Sequence, residues 1–150
     1  MEKKDLLKDV IKHIDIKSYN STELVDAMRN MSFTSRDTAR AADILMMMCK
    51  EKECTNILTL AGSTSAAGCM QVYVDMVRNK MIDVVVATGA SIIDMDLFEA
   101  LGYKHYIGEK ENVIPDTILR DLYIDRIYDT YIDEDELHAC DHSTYELAIM

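Results

Sequence analysis

Two short stretches carry the residues best suited to chemistry. The first, Gly62-Ser63-Thr64-Ser65-Ala66-Ala67-Gly68, sets three consecutive hydroxyls among small residues just after an apolar run, Ile57 to Ala61. Small side chains let a ligand's phosphates reach backbone N–H groups at the start of a following helix. The second, Thr88-Gly89-Ala90-Ser91, follows another apolar run ending at Ala87. Thr88 and Ser91 are donors for ribose or phosphate oxygens, and Gly89 permits close backbone approach. Asp94 and Asp96 come next. A carboxylate there could meet a ribose hydroxyl or an ammonium group, and helix N-capping is the competing role. Neither loop is a Walker, GxGxxG or nucleophile-elbow motif. Each alone is explained almost as well by a tight strand-to-helix turn.

Other constellations fall away on spacing. His138 and His142 would share a helix face, but Cys140 is rotated away from them and Ala139 occupies the zincin glutamate position. Asp125 to Glu136 has acids at some EF-hand positions, yet Ile127 and Thr130 stand where a ligand and the required glycine belong. The four cysteines, at 49, 54, 69 and 140, form no CxxC and suggest a reducing cytoplasm. A net charge of −11 without a basic stripe argues against nucleic acid and leaves room for a cationic ligand. No run is apolar enough to span a membrane, and the N-terminus lacks a signal-peptide core.

The elements that must position the two loops can be read from periodicity. The chain's 150 residues, 49% hydrophobic, suit a single domain with a real core. Leu6, Leu7, Val10, Ile11 and Ile14 predict an N-terminal amphipathic helix. Asn20 with Glu23 marks a second helix start. Thr34-Ser35-Arg36-Asp37 resembles a capping box opening a third helix, with Ala41, Ile44, Leu45 and Met48 as its stripe. Ile57 to Ala61 is predicted to be a buried strand, and Ile82 to Ala87 a strand covered on both faces. A helix from Cys69 to Val77 lies between them. Helices over Asp94 to Leu101, closed by Gly102, and over Ile114 to Leu122 follow, with a strand at His105-Tyr106-Ile107. Arg126 to Ile132 reads as extended. Asp133 to Glu136 then opens an acidic helix. Alternating strands and helices predict an α/β fold: a Rossmann-like parallel sheet with flanking helices and an N-terminal helical segment. Both loops would then lie at the carboxyl ends of their strands, where open α/β sheets bind ligands.

Taken in order, several segments resemble deoxyhypusine synthase, and within it the bacterial deoxyhypusine synthase-like branch. They include Leu24-Val-Asp-Ala-Met28, Leu58-Thr-Leu-Ala-Gly62, Met81-Ile-Asp-Val84, Thr88-Gly-Ala90, Phe98-Glu-Ala-Leu-Gly102, His105-Tyr106 and Ile124-Asp-Arg-Ile-Tyr128. The resemblance implies NAD as cofactor, spermidine or a related polyamine as substrate, and a homo-oligomer. In that family the aminobutyl group of spermidine moves to an enzyme lysine and then to an acceptor amine, such as a lysine of the hypusine-containing translation factor. By position, Gly62, Ser63, Thr64 and Ser65 correspond to the first NAD-contacting loop, and Thr88, Gly89 and Ala90 to the second. Asp94 lies near an acidic position that contacts NAD and polyamine, with Asp96 as a further polyamine candidate. Thr64-Ser65 stands where the family commonly has an apolar pair. The family's nucleophilic lysine lies in a C-terminal half without counterpart here, and Lys104 and Lys110 do not sit in its motif. The chain thus resembles the N-terminal half of an enzyme. A second polypeptide carrying the lysine would complete it; the rival reading is a non-catalytic regulatory paralogue or truncated product.

Overall fold

The computed structural model describes residues 1–108 and 113–150; Lys110 lies outside them. The elements in order are α1 (Lys3–Leu6), α2 (Thr22–Met28), α3 (Phe33–Lys50), β1 (Ile57–Leu60), α4 (Met70–Arg78), β2 (Val84–Ala87), α5 (Gly89–Ser91), α6 (Phe98–Ala100), β3 (His105–Ile107), α7 (Asp116–Asp121), β4 (Ile124–Ile127), β5 (Thr130–Asp133) and α8 (Glu134–Ile149). Between α5 and α6 the backbone widens into a π-helical turn, Ile92–Leu97, so helical backbone continues from Gly89 to Ala100. The chain divides into two compact units. One comprises Met1–Ile14, Leu60–Met70 and Ala87–Met150; the other comprises Asp15–Thr59 and Gln71–Val86.

The first unit is built on an antiparallel sheet of order β3-β5-β4. β4 and β5 close as a hairpin at the Ile127↔Thr130 pair, leaving a turn of only Tyr128 and Asp129. A two-residue connection can join only antiparallel strands, which is why the extended stretch predicted over Arg126 to Ile132 folds back on itself. β5 is central, and neighbouring side chains on a strand point to opposite faces. Ile132 accordingly joins Ala66, Met95, Phe98 and Cys140 in one apolar cluster, whereas Tyr131 joins Leu6, Leu119 and Ile124 in another. The sheet is therefore buried on both sides. Helix α8 begins where expected: the Asp133 carboxylate accepts from the Asp135 and Glu136 amides, and three acids occupy the first turn.

The N-terminal amphipathic helix shrinks to α1. Beyond it the chain runs extended as a strap along β3, with Val10 bridging Tyr106. The Ile11 amide donates to the His105 carbonyl at 2.8 Å, and the Ile107 amide to that of Asp9 at 2.7 Å. Pairing with the free edge of β3 satisfies backbone groups that a single helical turn would have left to solvent.

The second unit packs α2 against α3. The Asn20 side chain accepts from the Thr22 amide at 3.0 Å, which fixes the start of α2 near its predicted place. The capping box at Thr34 does not form: α3 opens one residue earlier, at Phe33, after Ser32, whose side chain makes no capping bond. Asn56 is the joint of this unit. Its amide donates to the Asp83 carboxylate at 2.8 Å and its side chain to the Met81 carbonyl at 3.0 Å. That places β1 beside β2. The Asn56 carbonyl accepts from Val84, four residues before the Leu60 carbonyl accepts from Thr88, so the pair is parallel.

Here the structure corrects two expectations. β3 does not extend the parallel pair but lies in the antiparallel sheet, so the described residues form a mixed α and β fold with two sheets in place of one parallel sheet. The strands predicted to be buried are also open: Ile57 is 56% exposed, and Val84, Val85 and Val86 are 41%, 39% and 56% exposed. Because successive side chains alternate, both faces of β2 show apolar surface. A two-stranded sheet is marginal by itself, and such an apolar surface seeks a covering partner. Light scattering of the purified chain at micromolar concentration should therefore show species larger than a monomer. A monodisperse monomer would contradict this.

Candidate functional site

The loop after β1 is small by necessity. Gly62 sits at φ +79° and Gly68 at φ +92°, both in the left-handed region that disfavours side chains. A Cβ on Gly68 would also stand 3.1 Å from the Lys12 carbonyl oxygen of the strap. The helical turn Ser65–Cys69 that leads toward α4 is kinked at Gly68, whose backbone is not helical.

Both ends of this loop are pinned. At the first, the Ser91 hydroxyl donates to the Gly62 carbonyl at 2.7 Å. Ser91 is fully buried, so its side chain is fixed in place. At the second, the Ile14 amide of the strap donates to the Gly68 carbonyl at 2.9 Å. The two predicted loops are thus neighbours, joined by Ser91. They do not contribute equally to a cavity, however. Gly62, Ser63 and Thr64, with Ala61, Ala66 and Ala67, line a cleft of about 500 Å³ whose other lining comes from Ile127 to Thr130 of the β4–β5 hairpin. Thr88, Gly89 and Ala90 are exposed and lie outside that lining.

Two hydroxyls at the loop, Thr64 Oγ1 and Ser65 Oγ, are buried without a hydrogen-bond partner among the described residues. Buried polar atoms are ordinarily satisfied, and an orphan hydroxyl beside a cleft is suited to an incoming phosphate or ribose. Neither aspartate caps a helix, because helical backbone already begins at Gly89. Burial, and then the nearby Asp141 carboxylate, raise the Asp94 carboxyl above its usual range. Asp96 Oδ1 is buried and unpartnered. Like Asp94, Asp96 is absent from the lining of the cleft. His138 and His142 are exposed on α8, each within 4 Å of a glutamate one turn away.

One cluster has no short-range sequence signature. Glu99, on α6, bridges two imidazoles: His13 Nε2 from the strap, and His105 Nδ1 from β3 at 2.6 Å. The carboxylate is 6% exposed and His105 fully buried. Burial works to raise the Glu99 carboxyl, but the hydrogen bonds from His105 and His13 overcome it and hold it below its usual range. An ionised carboxylate only accepts, so both facing nitrogens carry protons. The strap that pins Gly68 is in this way tied to the core. The hairpin wall of the cleft, by contrast, had a usable sequence signal: two β-branched runs separated by two residues.

Comparison with known proteins follows the same outline. The family model for deoxyhypusine synthase matches residues 23–149. The chain belongs to the deoxyhypusine synthase family. It is 62% identical over 146 residues to a deoxyhypusine synthase-like protein of Caulobacter vibrioides, covering 97% of this chain and 39% of that protein. It is 56% identical over 146 residues to one from Coxiella burnetii, covering 97% and 41%. A probable deoxyhypusine synthase 2 of Methanosarcina acetivorans is 36% identical over 135 residues, covering 90% and 38%. The chain therefore spans about 40% of the length of these family members.

The Glu99 cluster makes stability depend on acid. Its carboxyl titrates lower in the folded protein than its ordinary value of 4.5. The stabilisation is thus complete above that value and is lost as pH falls through the depressed folded one. Urea denaturation of Glu99→Gln should show a loss on the order of 3 kcal/mol at neutral pH. It should also show a shallower decline on the acid side than the unsubstituted chain. Equal acid slopes for the two proteins would remove Glu99 from this role.

Proposed function

We propose that this chain supplies the dinucleotide-holding part of a deoxyhypusine synthase-type aminobutyl transferase. The observation that carries the reading is the cleft beside Gly62: small residues at its wall and, among the described residues, a buried Thr64 hydroxyl without a partner, with the equally unpartnered Ser65 hydroxyl next to it in the chain. These fit the pyrophosphate and ribose of NAD, for which close backbone approach and spare donors are the requirement. Gly62, Ser63, Thr64 and Ser65 would hold that group. Thr88, Gly89 and Ala90, joined to it through Ser91, would border it. When bound, NAD supplies the hydride acceptor for oxidation of an amine.

The substrate of this reading is spermidine or a related polyamine. A chain with 27 acidic and 16 basic residues favours the approach of a polycation. Asp94 and Asp96 follow the second loop in the chain and are the candidates for the ammonium groups. The covalent lysine belongs to the part of the family's length that this chain does not span, on the same or a second polypeptide. The acceptor is a lysine of the hypusine-containing translation factor or another amine. Exposed Val84 to Val86 are consistent with further protein covering the parallel strands, from that remainder or from another copy in a homo-oligomer. No described helix is long and apolar enough to cross a membrane. Four free cysteines suit a reducing cytoplasm.

The test is to incubate the chain with NAD and spermidine, alone and with a polypeptide carrying the lysine-bearing remainder of a close relative. Diaminopropane release and aminobutyl transfer should require both partners. Turnover by the 150-residue chain alone would put the nucleophile within it. Absence of any NAD-dependent thermal shift in the pair would remove the cofactor from the cleft.

A further inference from the structure

The hairpin wall of the cleft carries a side chain with no visible structural duty. Tyr128 is 92% exposed, so its ring contributes almost nothing to the core. Its backbone nevertheless stands at φ 54°, in the left-handed region. It occupies the first position of a two-residue hairpin turn, where glycine is the favoured residue. Phe33, Lys80 and Tyr123 share that conformation; what sets Tyr128 apart is that it lines the cleft.

The turn is also held in place. The Gly108 amide donates to the Asp129 carbonyl at 2.6 Å. Gly108 packs so closely that a Cβ there would stand 2.9 Å from the Tyr131 ring. The exposed ring thus projects from an anchored turn. Tyr128 lines the cleft together with the small residues Ala61, Gly62, Ala66 and Ala67. A Cβ built on Gly62 would meet nothing within 4 Å. An exposed aromatic ring and a set of small residues thus line one cleft, a combination that suits the face of a planar ring.

We propose that Tyr128 is a stacking residue, clasping the heteroaromatic base of a purine nucleotide against the small-residue loop. This deepens the NAD reading and rests on it: the base and the Tyr128 ring occupy the hairpin side, and the phosphates lie toward Ser63 and Thr64. Stacking, rather than hydrogen bonding, supplies the affinity on this side of the cleft.

Titration calorimetry of the chain with AMP, ADP-ribose and NAD, using Tyr128→Phe and Tyr128→Gly, tests this. The phenylalanine variant should bind all three within about twofold of the unsubstituted chain, because it keeps the ring face. The glycine variant should lose affinity for all three by on the order of 10-fold. Its melting temperature should be unchanged or higher, because the left-handed strain is relieved. Unchanged affinity in the glycine variant overturns the stacking role. A lower melting temperature together with lost affinity also overturns it, by making Tyr128 structural. Tyr128-dependent binding of AMP without measurable NAD binding upholds stacking and overturns the NAD reading. NAD binding that ignores Tyr128 does the reverse. No binding of any of the three overturns both.

Discussion

The site depends on one hydrogen bond, from the buried Ser91 hydroxyl to the Gly62 carbonyl. Gly62 is where β1 gives way to the loop, and its left-handed conformation turns the carbonyl aside. A hydrogen bond of this kind contributes about 1 kcal/mol net. Ser91 supplies the donor from the helical run that follows β2. The two strand-to-loop junctions are thereby fixed to each other by side-chain chemistry as well as by the sheet ladder. The shape of the cleft follows from this anchoring of the loop's first end.

The other end of the loop is governed by a different kind of contact. The strap reaches Gly68 through the Ile14 amide, and its own position is set by β3 and by the carboxylate of Glu99. A charge-assisted contact from His13 to Glu99 thus acts at a distance on the backbone of the Gly62–Gly68 loop. It also explains why an acid in a closed site stays ionised: two imidazole donors replace the water it lost. A carboxylate with both oxygens committed has little capacity left for substrate, so this cluster positions and does not react.

Local chemistry was legible in the sequence where it was local. The Gly62 to Gly68 loop, the acidic opening of α8 at Asp133 and the closure at Gly102 each follow from a few adjacent residues whose conformational needs dominate. The single parallel sheet was not legible, because Val84-Val85-Val86 looks the same whether a strand is covered by its own chain or awaits another. The N-terminal helix failed for a related reason. Leu6, Val10 and Ile14 have helical spacing, but the open edge of β3 offered backbone partners that one weak helix could not match. The Glu99 bridge joins residues 86 positions apart, His13 and Glu99, and no spacing rule reaches that far. The link between the two loops is likewise beyond periodicity: the structure makes it through the Ser91 hydroxyl on the Gly62 carbonyl.

The central claim is that the cleft bounded by the Gly62 loop and the β4–β5 hairpin receives a dinucleotide. Amide chemical-shift mapping of the isotope-labelled chain during NAD titration tests it most directly. The account predicts saturable shifts concentrated at Ala61 to Ala67 and Ile127 to Thr130, with smaller shifts at Thr88 to Ser91. Saturable shifts confined to residues away from that cleft, or no shifts at all, would contradict it.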